Sequence, residues 1–268
     1  TPPRKLGTDE IPGIVEEFRD GAQRAKDAGF DGVEIHGANS YLLDQFTRDG
    51  VNKRDDIYGG SIENRIRFPL MVADAVADVW RDEDGDASRV GYRISPLSEH
   101  KDVRDSDPQS VFCALAKGLG ERKLGFLHAV ETWDRSQIDP RVETVLPAIV
   151  KAFKDAGGGL YIGNGNYTPQ LADKVIGDGW ADAIAFGKLW IPNPDLEVRI
   201  ASDGPYRDPD PPRWGGIYPC PLGQRGCGWP CLCPARGRHR AARHLDTRHQ
   251  GRDGCPRAGQ HADPGRGF

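Results

Sequence analysis

Hydrophobic side chains along residues 8–202 recur at two spacings, one typical of amphipathic helices and one typical of short buried strands. Residues 8–28 have the helical spacing, with Thr8 as the expected N-cap and Gly29 as a residue that can end the helix. The next stretch, FDGVEIHG, is a short apolar run. It predicts a strand that is buried on both faces.

The same alternation continues toward the carboxyl end and predicts five strands in all. Further helices are expected to begin after Ser61, Asp107 and Thr168, and prolines at positions 108 and 169 suit the first helical position. Short strands that alternate strictly with helices indicate an α/β fold with a parallel sheet. Polar residues gather after the strands, which is typical of both (β/α)8 barrels and open doubly wound sheets. The pattern alone leaves these two architectures open, although five strands cannot close an eight-stranded barrel.

Composition narrows the class of protein. The chain has 268 residues, enough for a sizeable core, and a formal net charge of −4, which gives no basic surface for nucleic acid or an anionic membrane. No run of about 18 apolar residues occurs, so we expect no membrane partner. One cysteine, Cys113, lies in residues 1–216, which is typical of a cytoplasmic protein without disulfides. Because residue 1 is Thr rather than Met, we expect a fragment.

The character of the chain changes after Gly216. Residues 217–268 contain nine Arg and no Lys, whereas the preceding residues hold all ten Lys, and Gly and Pro make up 15 of these 52 residues. Such a segment has too few apolar side chains to offset the entropy of ordering. We therefore predict a domain over residues 1–216 and a disordered tail over residues 217–268 that resembles a gene read in the wrong frame. The alternative is a zinc site formed by Cys227, Cys231, Cys233 and His239; we predict no metal.

Three polar residues follow the first predicted strand in the stretch HGANSYLLDQF: His36, Asn39 and Tyr41. Two donors that converge on one oxygen would polarise a carbonyl or hold an anion, and a nearby phenol could deliver a proton. The alternative is a hydrogen-bonded histidine at a strand end beside a packed tyrosine. For so short a motif, that alternative is the more common situation.

A longer signature changes this balance, because NKRDDIYGGSIENRIRF follows at residues 52–68. Together the two stretches resemble the Old Yellow Enzyme family of flavin-dependent ene-reductases, and the similarity runs from about residue 1 to residue 216. The resemblance implies an FMN-binding (β/α)8 barrel that passes hydride from NAD(P)H through the flavin to an activated alkene. It implies that His36 and Asn39 hold the substrate's oxygen and that Tyr41 protonates its α-carbon. Ser40 stands where the family has glycine.

The same resemblance assigns the cofactor residues. It implies that Arg93 contacts the N1–C2 carbonyl edge of the flavin. It also implies that two glycine-rich turns bind the phosphate, the first with Gly165 and Asn166 and the second with Gly187 and Lys188. The family usually has arginine at the position of Lys188, and lysine keeps the charge without the two-pronged geometry.

Against the family pattern, the helix of residues 8–28 precedes the fourth barrel strand. We therefore expect a partial (β/α)8 barrel, with strands four to eight, and expect flavin contacts from three earlier strands to be missing. Trp214 stands where relatives carry a tyrosine that contacts substrate.

Three hypotheses follow. In the first, the chain derives from an FMN-dependent oxidoreductase that acts on enones or related electrophilic alkenes. In the second, it is a non-catalytic partial gene product or pseudo-enzyme that cannot retain FMN. In the third, its basic, cysteine-rich tail is an arm that binds nucleic acid or metal. The sequence does not define the physiological alkene, the choice between NADH and NADPH, or the oligomeric state.

Overall fold

The structure is a computed structural model that describes residues 4–99, 103–132 and 139–208. Trp214 and the whole predicted tail lie outside the described residues, so the domain division at residue 216 stays a prediction. Five strands are present in this part of the chain: β1 (Val33–His36), β2 (Ala87–Ile94), β3 (Leu124–Val130), β4 (Leu160–Asn164) and β5 (Ala183–Ile184). The helices are α1 (Ile11–Asp27), α2 (Leu42–Thr47), α3 (Ile62–Trp80), α4 (Pro108–Glu121), α5 (Val142–Asp155), α6 (Pro169–Gly177) and α7 (Leu196–Ala201).

The strands form one parallel sheet in the order β1-β2-β3-β4-β5. A doubly wound sheet reverses its strand order at a switch point, whereas the strands of a (β/α)8 barrel follow one another around the axis. The sequential order therefore confirms the partial barrel and excludes the open doubly wound arrangement for the described sheet.

The two faces of the sheet differ in chemistry. Ile35, Tyr92, Leu127 and Tyr161 are in register across four strands, and all are nearly inaccessible to solvent. They belong to one hydrophobic cluster with side chains of α3, α4 and α5. Successive side chains of a strand point to opposite faces. The adjoining register row, which contains His36, Arg93 and His128, therefore lies on the other face.

Three predicted helix caps are confirmed. Ser61, Asp107 and Thr168 each accept a hydrogen bond from the backbone N–H three residues further on, at the starts of α3, α4 and α6. Each bond satisfies one of the N–H groups that a helix start leaves without a partner inside the helix.

The prediction for Thr8 is wrong. Helix α1 begins at Ile11 with Glu10 at the N-cap position, and the Thr8 hydroxyl hydrogen-bonds the carboxylate of Asp56. The Glu10 carboxylate instead accepts from the backbone N–H of Gly7 at 2.6 Å and pairs with Arg4. This local turn displaces the start of the helix.

The prediction that the first strand is buried on both faces is also wrong. Ile35 is buried, but Glu34 and His36 are exposed. In the described part of the chain, β1 pairs with β2 on one side only. The hydrophobic cluster covers the face of β1 that carries Ile35 and does not include Glu34 or His36 on the opposite face.

Candidate active site

The turn after β1 carries the first group of predicted site residues. Asn39 and Ser40 both adopt positive φ angles, 59° and 66°. This left-handed conformation costs a residue other than glycine roughly 1–2 kcal/mol. It gives a physical reason for the glycine that the family has at the position of Ser40.

Two hydrogen bonds hold this turn. The Asn39 backbone N–H donates to Ser95 Oγ at 2.8 Å, and the Ser40 backbone N–H donates to Asp44 Oδ2 at 2.9 Å. Side chains on α2 and at the end of β2 therefore impose the strained backbone on which the candidate residues stand.

Asp44 and Arg48 are structural residues of the site that sequence reasoning missed. Asp44 Oδ1 accepts from Arg48 Nε at 2.7 Å, and both side chains are almost completely buried. Arg48 also donates to the carbonyl oxygens of Ser95, Pro96 and Ser98, which join α2 to the segment after β2. The signal available in the sequence was an Asp and an Arg four residues apart in a short helix.

His36 and Tyr41 are brought together by this turn. Their ring centroids are 5.3 Å apart and the rings meet edge to face at 61°. Tyr41 is 56% exposed, and His36 is also exposed. Among the described residues, the buried Asn39 Oδ1, which is an acceptor, has no hydrogen-bond partner. The exposed His36 ring is accessible to a ligand, and the Asn39 carboxamide keeps an unused acceptor.

The surroundings of His36 favour its neutral form. Its pKa is lowered from the ordinary value, first by loss of solvent around the ring and second by the positive charge of Arg93. A neutral imidazole presents one N–H donor and one acceptor. Such a ring can donate a hydrogen bond to a substrate oxygen.

Arg93 lies in register between His36 and His128, on the sheet face opposite the hydrophobic core. Its Nη2 donates to Asn164 Oδ1 at 3.0 Å, whereas its buried Nε has no partner among the described residues. His128 Nδ1 lies 2.7 Å from Glu34 Oε1. A buried donor with no acceptor is uncommon in folded proteins, and this one remains available to an additional polar group at this edge.

The predicted phosphate-binding residues follow two neighbouring strands. Gly165 and Asn166, with φ angles of 150° and 53°, follow β4. A Cβ atom at Gly165 would lie 2.7 Å from the carbonyl oxygen of Thr132, so only glycine fits there. Gly187 and the exposed Lys188 follow β5, and a Cβ atom at Gly187 would meet nothing within 4 Å. The structure thus places both turns at the carboxyl ends of adjacent strands.

A buried carboxylate supports the first of these turns. Glu131 follows β3 and accepts hydrogen bonds from the hydroxyl groups of Tyr161 and Tyr167. Tyr167 comes directly after Asn166, and the cap residue Thr168 then begins α6. The backbone of the turn is thereby attached to β3. Sequence reasoning assigned no role to Glu131.

These residues fit FMN. Its planar ring would meet the partly buried cation Arg93, and its phosphate would meet glycine turns, a helix start and Lys188. Trp214, the further predicted substrate residue, lies outside the described residues.

No group of three His, Cys, Asp or Glu residues in the described ranges could hold a metal ion. No helix in these ranges is long and apolar enough to cross a membrane.

Comparison with known proteins agrees with a flavin-dependent oxidoreductase. Residues 1–206 match the NADH:flavin oxidoreductase / NADH oxidase family. The chain belongs to this family, of which Old Yellow Enzyme is a member. It is similar to 12-oxophytodienoate reductase 1 of Oryza sativa subsp. japonica, with 43% identity over 204 residues, covering 76% of this chain and 52% of the relative. With 12-oxophytodienoate reductase 2 of Arabidopsis thaliana, the identity is 38% over 210 residues, covering 76% and 53%.

Solved structures agree with the fold. Morphinone reductase superposes with a TM-score of 0.72 and 44% identity over 79% of this chain and 54% of that protein. A structure of morphinone reductase in complex with tetrahydroNAD has a TM-score of 0.69 and 43% identity over the same shares. The chain therefore spans about half the length of the relatives it matches.

Proposed function

We propose that this chain belongs to an FMN-dependent oxidoreductase that passes hydride from NAD(P)H to the activated C=C bond of enones or related electrophilic alkenes. Bound FMN would supply the hydride transfer. The observation that carries the proposal is the position of His36, Asn39 and Tyr41 at the end of β1, beside Arg93 with its unpartnered Nε. The single cysteine in residues 1–216 supports a cytoplasmic location.

His36 and Asn39 hold the substrate's carbonyl or nitro oxygen. Negative charge gathers on this oxygen as hydride reaches the β-carbon, and fixed donors then stabilise it more strongly than they stabilise the ground state. Losing one such donor costs about 10²–10³-fold in rate in well-studied enzymes. The strained turn at Asn39 and Ser40 fixes the direction of the Asn39 side chain.

Tyr41 supplies the proton to the α-carbon. Its ring packs edge to face against His36, which keeps the phenol next to the oxygen-binding groups. Positioned proton donors of this kind contribute typically 10²–10⁴-fold.

Arg93 would hold the ring edge of FMN with a positive charge, which favours the anionic reduced flavin. Gly165, Asn166, Gly187 and Lys188 would hold its phosphate through backbone N–H groups and one ammonium group.

The absorption spectrum of the purified chain tests the cofactor. Because the flavin contacts of three earlier barrel strands are expected to be missing, we expect weak retention through gel filtration. With excess FMN added back, we expect bands of bound FMN that bleach on addition of NADH or NADPH. A colourless protein that neither retains nor rebinds FMN would contradict the proposal and favour the alternative, a non-catalytic partial gene product.

Stopped-flow kinetics of Tyr41→Phe test the proton donor. We expect slower reoxidation by an enone and nearly unchanged reduction by nicotinamide, because only the alkene half-reaction requires a proton at the α-carbon. Tyr58→Phe is the matched control, because that hydroxyl lies 3.8 Å from Met71 Sδ rather than near His36. Equal slowing of both half-reactions in Tyr41→Phe would reject the role.

A further inference from the structure

The side-chain carboxamide of Asn164 connects Arg93 to the backbone that leads to the turn after β5. Asn164 is the last residue of β4, and its Oδ1 accepts from Arg93 Nη2 at 3.0 Å. Its Nδ2 donates at 2.8 Å to the carbonyl oxygen of Ala185, just after β5. The same side chain therefore bonds the cation on β2 and the backbone that leads to Gly187 and Lys188.

Arg93 depends on this bond for its orientation. Among the described residues, its guanidinium makes no other side-chain hydrogen bond, and its Nε is buried without a partner. An arginine side chain has several rotatable bonds and many accessible orientations. One hydrogen bond to a fixed acceptor therefore decides which of many orientations is populated.

Asn164 itself stands on a fixed base. Its backbone carbonyl accepts from the N–H of Glu131 at 2.8 Å, and the carbonyl of the preceding Gly163 accepts from the N–H of Ala185 at 2.9 Å. Strands β3, β4 and the segment after β5 are thus connected around this residue. The Asn164 carboxamide is therefore held by these strands and can fix the position of the Arg93 guanidinium relative to them.

We propose that Asn164 is a positioning residue that orients the Arg93 guanidinium and fixes its separation from the turn after β5. The cation at the ring edge and the phosphate-binding backbone are then presented to one FMN molecule at a set distance. Only the identity of this ligand rests on the proposed function, because the link between the two parts is a property of the flavin-free chain.

An NMR titration of His36 in the flavin-free full chain tests the link. The charged and titratable groups around His36 are Arg93, Glu34, Asp44, His128 and the phenol of Tyr41, and Arg93 lowers the pKa of His36. Arg93→Gln gives the reference rise of the His36 midpoint. Asn164→Leu keeps the approximate shape of the side chain but releases the guanidinium, so we expect the midpoint to rise part of the way to that reference.

Asn52→Leu is the matched control. Asn52 is a buried asparagine whose Nδ2, like that of Asn164, donates to backbone carbonyl oxygens, here those of Phe46 and Tyr58. We expect the His36 midpoint to stay at its wild-type value in this variant. A rise in Arg93→Gln together with a wild-type midpoint in Asn164→Leu would overturn the proposal.

FMN affinity, measured by quenching of flavin fluorescence, supplies the second readout. We expect Asn164→Leu to weaken binding about tenfold, the scale of one hydrogen bond to a charged group. The effect should be smaller in an Arg93→Gln background, since Asn164 acts through Arg93. Fully additive effects would overturn the proposal. If the chain binds no FMN, the proposed function fails, while the titration still decides the positioning role.

Discussion

Removing Asp44 from its buried pair with Arg48 should be one of the most destabilising single substitutions in the domain. Asp44→Ala removes the acceptor for Arg48 Nε and for the Ser40 backbone N–H. The Arg48 side chain, only 2% exposed, keeps its carbonyl partners but loses its counter-charge. Removing one partner of a buried ion pair costs about 3–5 kcal/mol. That is a large part of the 5–15 kcal/mol by which a domain is usually stable.

The chain provides a matched control for this prediction. Asp195 and Arg199 are the same residue types at the same spacing, and their Nε–Oδ1 distance is also 2.7 Å. This pair is more accessible, with side chains 50% and 20% exposed. Exposed ion pairs contribute at most about 1 kcal/mol, so Asp195→Ala should cost far less than Asp44→Ala.

Urea unfolding followed by circular dichroism measures both free energies of unfolding. Asp44→Ala should lower the midpoint strongly at an unchanged slope, because the surface exposed on unfolding is the same. The double variant Asp44→Ala/Arg48→Met should recover part of the loss, since no uncompensated charge then remains buried. If Asp44→Ala and Asp195→Ala cost the same within 0.5 kcal/mol, burial does not set the strength of this pair.

Three further predictions concern the turns and the histidine. Ser40→Gly should be neutral or stabilising by up to about 1 kcal/mol, because glycine relieves the left-handed strain; a clear loss in thermal melting would show that the Ser40 side chain outweighs that strain. Gly165→Ala should lower the melting temperature and weaken FMN binding, because the added Cβ would meet the Thr132 carbonyl oxygen. Gly177→Ala in α6 is the control and should do neither, because there is open space around that position. Equal effects of the two substitutions would contradict the close approach at Gly165. The lowered His36 pKa means that the unfolded chain holds this proton more tightly, so the contribution of His36 to stability is full above pH about 6.5 and is lost as pH falls toward the folded value. The free energy of unfolding of the wild type should fall as the pH is lowered through this range, and His36→Gln should remove that fall. A pH dependence of stability that is unchanged in His36→Gln would assign it to another group.

The sequence predicted the element order and several helix caps because those features depend on local chemistry. Ser61, Asp107 and Thr168 bond the backbone within three residues, and a local pattern identifies such residues. Thr8 failed because its hydroxyl is engaged by Asp56, which is distant in sequence. The exposure of His36 depends on what packs against that face of β1, and the apolar content of the strand does not predict this.

The hydrogen-bond network that supports the candidate site could not be predicted from the sequence, because its contacts join residues that are distant in the chain. His36, Asn39 and Tyr41 form one contiguous motif, and so a family resemblance identified them. The bonds from Asn164 to Arg93 and to Ala185 cross 71 and 21 positions of sequence. Glu131 likewise meets Tyr161 and Tyr167 at separations of 30 and 36. No local spacing indicates which of these distant groups will meet.

The sequential strand order has a consequence for how the sheet can form. Each strand pairs with the next strand along the chain, so every pairing step closes a loop that holds one or more helices. Loop-closure entropy grows only slowly with length, and these steps are therefore similar in cost. During synthesis, β2 can pair with β1 once α3 and β2 itself have emerged. Each later strand then pairs with a strand that has already been synthesised. Growth from one edge in this order never requires a new strand to insert between two that are already paired.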